Sequence, residues 1–460
     1  MDPPNTCMTG IADYELGLPI DKAAATPTPC IAKLDPFGDE SDAGLKYKTM
    51  TWWQAGMVMI AETISLGILA LPKALATLGL IPGVFTILAV GIISIYTGFT
   101  IGTLKSKYMQ IHSMADAGGL LMGRAGQLVL GIAQLVFYIF VMGSHVLTFS
   151  IMMNVLTNHG SCTLLYSALG LLVSFILTLP RRLEKLSHLS SVSFVSIVMA
   201  ILVTMISIVI SKGSPASIPL ISPAPAMHEA CLAFANIVFA YAGHVAFFTM
   251  FSELQEIKDY PRALTMLHLC EMILYTITAI VIYAYAGPLV KSPALNSAED
   301  LFRKISFGLA IPTIVIGGVV NAHLGAKYMY VHIFRGSKAI HAQTCTARAS
   351  WVAICVVMWI LSWIIAEVIP VFNDVLGLAS SLFASWFTFG LPGMFWLFLN
   401  RHRWFMTRNQ MLFSCINIGL VFLALIICLI GVYSSAQSIF HNLRDGARPG
   451  IFSCADNSLY

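Results

Sequence analysis

Charge is what this chain has least of. Asp, Glu, Lys and Arg fill only 10% of its 460 positions, against roughly 25% in a soluble globular protein. Hydrophobic residues fill 57%, more than a water-soluble fold of this length can hide. Other absences narrow the function. The twelve histidines occur without an HExxH, a nucleophile elbow or a metal-spaced His/Asp set, which disfavours a membrane-embedded enzyme. The ten cysteines contain no CxxC pair and no Cys/His cluster, so zinc and dithiol frames are excluded. The net charge of +4 is small and its basic residues sit in short loops, which argues against nucleic acid as a partner.

The apolar residues are gathered into runs of about 20, the length a helix needs to cross a hydrocarbon core of about 30 Å. Membrane lipid is therefore the expected solvent. Eleven spans are expected, near 52–76, 80–104, 126–156, 163–180, 188–211, 229–251, 264–287, 305–332, 350–370, 374–399 and 410–434. Residues 1–50, with eight acids between Asp2 and Asp42, are expected to be a disordered cytoplasmic tail. Residues 435–460 would then form a tail on the outer side. Ser113 to Gln127 reads either as a short interfacial helix or as an ordinary loop.

Loop charges set the orientation. With the amino terminus cytoplasmic, the inner loops hold sixteen Lys and Arg and the outer segments seven. The positive-inside rule favours that arrangement.

Two spans are interrupted at matching places. The first contains Ser65-Leu66-Gly67 and ends at Pro72; the sixth contains Tyr241-Ala242-Gly243-His244. Being the first and sixth elements, they suggest two inverted halves, about 51–211 and 228–399, with an extra helix at 410–434. Interrupted spans at equivalent places in two halves point to a transporter's binding site.

The stretch Met59 to Pro72, with Ser65-Leu66-Gly67-Ile68-Leu69-Ala70-Leu71-Pro72, resembles the first helix of the amino acid/auxin permease family. Ile237 to His244 is similar to that family's sixth helix, with Pro261-Arg262-Ala263-Leu264 after it, and Phe372 to Leu378 resembles the opening of the tenth. The first motif and Ala310 to Ile316 look closest to its fungal neutral amino acid permeases. The resemblance implies an all-α polytopic membrane protein of eleven helices with the five-plus-five inverted-repeat, LeuT-like fold. It also implies an amino acid carrier, driven by protons or, in some branches, sodium.

Candidate site residues follow from the breaks. A substrate carboxylate would accept from backbone N–H groups near Ser65, Leu66, Gly67 and Ile68, at the positive end of a half-helix. The ammonium would donate to carbonyls freed around Phe239, Ala240 and Tyr241. Gly67 and Gly243 are expected to supply unusual dihedrals and close approach. Glu62, one turn before the first break, is the candidate proton-coupling acid, since an acid at membrane depth usually carries a function. His244 is the candidate relay, or a histidine held by freed carbonyls. Asn321 is placed as a further substrate contact, with His323 and His145 as possible neighbours in the same cavity, each alternatively a buried hydrogen-bonding residue. Sodium-coupled relatives carry Asn where Ala61 stands, which favours protons. No cofactor and no obligate protein partner is expected.

The expected substrate is a neutral L-amino acid, aliphatic or aromatic, and the expected location is the plasma membrane. A vacuolar carrier or a transport-deficient sensor remain alternatives. Glu271, Glu367 and Asp374 are expected near span ends, reaching water. Cys162 and Cys231 fall on the outer side, where they can pair in an oxidising space, with Cys454 competing.

Overall fold

The computed structural model describes Phe37 and residues 46–181, 183–222, 225–335, 344–444 and 450–458. Most of the amino-terminal tail lies outside these residues, as do Arg182, Lys338 and Arg448 among the loop charges.

The described chain is helical. The first span is two helices, α1 (Trp52–Thr63) and α2 (Gly67–Leu78), bent by 50° across Ile64, Ser65 and Leu66. Then come α3 (Leu80–Lys107), α4 (Met114–Thr157), α5 (Thr163–Thr178) and α6 (Leu183–Lys212). The sixth span is again two pieces, α7 (Met227–Ala240) and α8 (His244–Glu253). They are followed by α9 (Tyr260–Ala286), α10 (Asp300–Phe334), α11 (Cys345–Val368) and α12 (Phe372–Ala379). Two π-helical turns, Ser380–Ala384 and Trp386–Gly390, lead into α13 (Leu391–Leu399), and α14 (Arg408–Arg444) closes the order.

Among the described residues nine spans are long and apolar enough to cross a membrane, and the bent α1–α2 pair makes ten. The eleventh expected span, α5, has only 16 residues, about 24 Å at 1.5 Å per residue, and falls short of the usual 20. The segment Ser113 to Gln127 is helical and not a loop, forming the first turns of α4. Ser113 caps it by accepting from the Asp116 amide at 3.2 Å. Gly123, at φ 65°, then breaks the run, a backbone conformation that side chains resist.

The lipid-facing side follows from exposure. Phe85, Ile92, Leu128, Ile210, Leu269 and Phe422 are exposed apolar residues on long helices, whereas α1, α2, α7 and α8 are largely enclosed. The two broken spans therefore form the centre, with α3, α6, α9, α10, α12 and α14 packed around them.

The carboxylates correct one expectation. Glu271, Glu367 and Asp374 are all buried, at 0%, 6% and 1% exposure. Helix α9 starts at Tyr260, four residues before the expected span, and so carries Glu271 near its middle. Glu367 accepts from Ser167 Oγ at 2.5 Å, and Asp374 from Ser438 Oγ at 2.8 Å. The disulfide is also different: Cys162 pairs with Cys454, and Cys231 is free. Asn457 anchors the same tail, exchanging hydrogen bonds with Asn154 and Ser150 at 2.8 and 2.9 Å. That contact brings Cys454 to the start of α5, a closure between positions 292 residues apart that sequence spacing does not reveal.

Candidate functional site

The two breaks lie against each other. A Cβ added to Gly67 would stand 2.6 Å from the Ala240 Cα, and one added to Gly243 would stand 2.5 Å from Thr63 Cγ2 and 3.0 Å from Glu62 Oε2. Gly243 has φ −74° and Gly67 opens an α-helix, and neither has positive φ. Close approach, rather than unusual dihedrals, is what these glycines supply.

Tyr275 ties the breaks together from α9. Its hydroxyl donates to the Ala240 carbonyl at 2.7 Å and lies 3.3 Å from the Thr63 carbonyl. Carbonyls released where helices end need partners at this depth, and one phenol serves the last residue of α1 and the last of α7. Phe239 O accepts from the Ala242 amide and Val238 O from the Tyr241 amide. The freed carbonyls around Phe239 and Ala240 are therefore taken up within the protein in this conformation.

A small cavity opens beside the breaks. Glu62, Thr63, Ser65 and Leu66 line it from the first broken span and Phe239 and Ala242 from the second, while α4 adds Phe137, Val141 and His145. It measures about 10 Å³, room for about one water, so a larger solute enters only when the helices part. Glu62 is 6% exposed and its Oε2 has no hydrogen-bond partner.

His145 orients Ser65. Its Nδ1 is 2.7 Å from the Ile314 carbonyl, so in the neutral ring Nδ1 is the donor and Nε2, 3.3 Å from Ser65 Oγ, accepts from the hydroxyl. Gly317 makes room for this pair, since a Cβ there would meet His145 Cε1 at 2.5 Å and Ser65 Cβ at 2.9 Å.

The remaining candidates stand outside the cavity lining. Tyr241 turns toward α3, where its hydroxyl would lie 3.0 Å from a Cβ on Gly91. His244 also faces α3: its Nε2 is 2.8 Å from Thr97 Oγ1 and 3.1 Å from the Ser94 carbonyl, and its Nδ1 has no partner. Asn321 donates to Gly317 O on its own helix, with Oδ1 unpartnered. Ile68 is buried in α2, and His323 packs edge-on to Trp351. The sequence pattern did not single out Phe137, Val141 and Ala242, because an apolar side chain in an apolar helix carries no signal of facing a cavity, nor Thr63, whose hydroxyl is taken up by the Met59 carbonyl of its own helix.

The end of the site nearest Tyr47 is sealed. The Met50 amide donates to Glu253 O at 3.1 Å and the Gln255 amide to Met50 O at 2.9 Å, joining the approach to α1 with the end of α8. Lys327 of α10 forms a buried ion pair with Glu253 and stands 4.6 Å over the Tyr47 ring. Arg181 lies 4.5 Å over the Tyr330 ring and donates to Tyr47 Oη at 3.3 Å. Phe37 stacks on Tyr47 at 4.8 Å. Burial pushes the Tyr47 phenol up to about 12, which keeps it protonated between the two cations. At the opposite end, α2 packs under the turns Gly287–Leu289 and Ala294–Ser297, and Ser292 donates to Asn373 at 2.8 Å.

Comparison with known proteins matches this architecture. Residues 48–437 match the family model described as transmembrane amino acid transporter protein. The N amino acid transport system protein of Neurospora crassa is 33% identical over 439 residues, covering 92% of each chain. A transmembrane transporter of Gibberella moniliformis is 27% identical over 428 residues, 91% of this chain and 90% of that one. Among solved structures, MhsT in complex with L-phenylalanine superposes with a TM-score of 0.54 at 14% identity, over 86% of this chain and 99% of that one. A substrate-bound, outward-open Na⁺-coupled sialic acid symporter gives 0.52 at 12% identity, over 89% and 94%. Both share with this chain the LeuT-like transporter fold expected from the paired breaks.

Proposed function

This chain belongs to the transmembrane amino acid transporter family, and on that premise we propose that it is a proton-coupled symporter of neutral amino acids at the plasma membrane. The observation that carries the reading is Glu62: an acid with an unpartnered oxygen, lining a cavity where two helices break. A carboxyl group that takes a proton only while substrate occupies the adjacent gap links the two fluxes.

Neutral cargo is supported by the lining. Leu66, Phe137, Val141 and Phe239 offer apolar surface, and a side-chain cation would compete with the proton for Glu62. The likeness to a structure holding L-phenylalanine and to an amino acid transport system protein agrees with this cargo. One of the structural relatives is sodium-coupled, but here Ala61 brings no side-chain oxygen to the first break. Zwitterion recognition would use the backbone of Ser65 to Ile68 and of Phe239 to Tyr241 after Tyr275 releases its carbonyls. Location at the cell surface, with the amino terminus inside, agrees with a disulfide at the end opposite Tyr47, since such bonds persist in oxidising spaces.

The test is uptake by the purified full chain in liposomes under an inward proton gradient, with all twenty amino acids as competitors. Aliphatic and aromatic amino acids should accumulate and compete, while Asp, Glu, Lys and Arg should not. Failure of every neutral amino acid to accumulate would overturn the assignment. A fluorescent fusion distinguishes surface from vacuolar membrane.

A further inference from the structure

Glu271 lies 0% exposed near the middle of α9, on a helix that packs against α1, α2, α3 and α6. Its Oε2 is 2.7 Å from His268 Nδ1, one turn away on the same helix, and its Oε1 has no partner. His268 is equally enclosed, and its Nε2 is also unpartnered. The pair is not isolated from the site. Glu62 Oε2 lies against Gly243, the residue before His244, since a Cβ on that glycine would stand 3.0 Å from it. The His268 ring centroid stands 6.2 Å from that of His244, beside the second break.

An acid and a histidine held this way cost stability unless the protein uses them. A carboxyl group enclosed with one oxygen unpartnered loses hydration that nothing in the protein replaces. Titratable groups placed around the pair are Cys270 and Tyr275 on α9 itself and Tyr241 at the second break, whose ring stands 5.1 Å from that of Tyr275. His244 on α8 faces His268. Other ionisable side chains on the helices around α9 are engaged elsewhere. Tyr96 meets Asn417, Lys105 donates to the Met109 and Ile111 carbonyls, and His188 packs on Trp53. Lys73 is half-buried on α2, and Lys107 and Lys212 close their helices. Among the described residues His268 is the base that pairs with Glu271.

We propose that the His268–Glu271 pair is the second proton-holding site of the carrier, exchanging one proton with Glu62 during the transport cycle. This rests on proton coupling through Glu62 and adds to it where the proton goes. The O–H bond at Glu62 breaks as an O–H bond forms at the open Oε1 of Glu271, so the summed charge of the two acids is the same before and after. His268 is the positioning residue: its ring fixes Oε2 and leaves Oε1 turned free. Tyr275, on the same helix one turn beyond Glu271, bridges both breaks. A change of charge at Glu271 is therefore carried on the helix that holds the broken spans together.

The experiment compares wild type, Glu62→Gln, Glu271→Gln, Glu271→Asp and His268→Gln, purified full length and reconstituted in liposomes. It reads gradient-driven accumulation of a neutral amino acid, counter-exchange, and the pH profile of substrate binding. Glu271→Gln should lose concentrative uptake, its accumulation ratio falling to about one, with exchange still measurable. Glu271→Asp should keep coupling with a displaced pH profile, and His268→Gln should displace that profile as well. A structural pair alone would leave the profile in place while lowering thermal stability. Wild-type accumulation and pH profile in Glu271→Gln, with coupling lost in Glu62→Gln, would overturn this inference and leave the proton-coupled function standing. Absence of proton-driven uptake in the wild type would overturn both. If Glu271→Gln does not fold, an unmoved pH profile in both Glu271→Asp and His268→Gln overturns the inference.

Discussion

Gly243 lies so close to Glu62 that a single methyl group on it would come within 3.0 Å of the carboxylate Oε2. The acid of the first broken span thus rests directly on the break of the sixth, and the rest of the site is arranged around that contact. Parting the two spans exposes the carboxylate, and closing them shields it.

Gly243→Ala is expected to slow transport strongly, because the new methyl also meets Thr63 Cγ2 at 2.5 Å. Overpacking of this kind costs about 1–3 kcal/mol, or roughly five- to 150-fold in uptake. Gly308→Ala, where nothing lies within 4 Å, is the control and should transport normally. Initial uptake rates at matched expression decide the matter, and equal rates for the two variants would refute the packing argument.

Tyr275→Phe removes the donor shared by Ala240 and Thr63. Leaving a buried carbonyl without a partner costs about 1–3 kcal/mol, so the melting temperature of the purified protein should fall and uptake with it. Tyr283→Phe provides the contrast, since the Tyr283 hydroxyl is buried without a partner; its loss should be neutral or stabilising. Thermal unfolding of both variants distinguishes a bridging phenol from a merely buried one.

Lys327→Ala should destabilise the protein strongly, because it strands Glu253 in an enclosed position. Breaking one partner of a buried pair costs about 3–5 kcal/mol. The double variant Lys327→Ala/Glu253→Ala should lose less than the sum of the two singles. Additive losses in a double-mutant cycle would mean that the two side chains do not act as a pair.

How much of this was readable from the sequence depends on the residue. Glu62 and the two breaks stood out because an acid, small residues and Pro72 interrupt otherwise apolar runs. Glu271 did not, because its depth depends on where α9 begins. A span counted from Leu264 puts it near an end, whereas the helix starts at Tyr260. Tyr275, Lys327 and Tyr47 each act on partners far away in the chain, so spacing gives no sign of them. The Cys162–Cys454 bond was open for the same reason: three outer cysteines allow several pairings, and only the anchoring of Asn457 between Asn154 and Ser150 selects one.

That tail yields a further expectation. Cys454→Ser, by releasing a closure of 292 residues, should lower stability by about 2–4 kcal/mol. Cys231→Ser should be close to neutral. Melting temperatures under non-reducing conditions test this, and a larger drop for Cys231→Ser would contradict the pairing.

The central claim is that Glu62 joins proton movement to amino acid movement, and the most direct test measures both at once in proteoliposomes. A pH-sensitive dye inside reports protons while radiolabelled neutral amino acid reports substrate. Wild type should take up protons and amino acid together in a fixed ratio. Glu62→Gln should lose substrate-dependent proton entry and concentrative uptake, with exchange still measurable. A Glu62→Gln variant that keeps the wild-type ratio and accumulates substrate to the wild-type level would contradict the account.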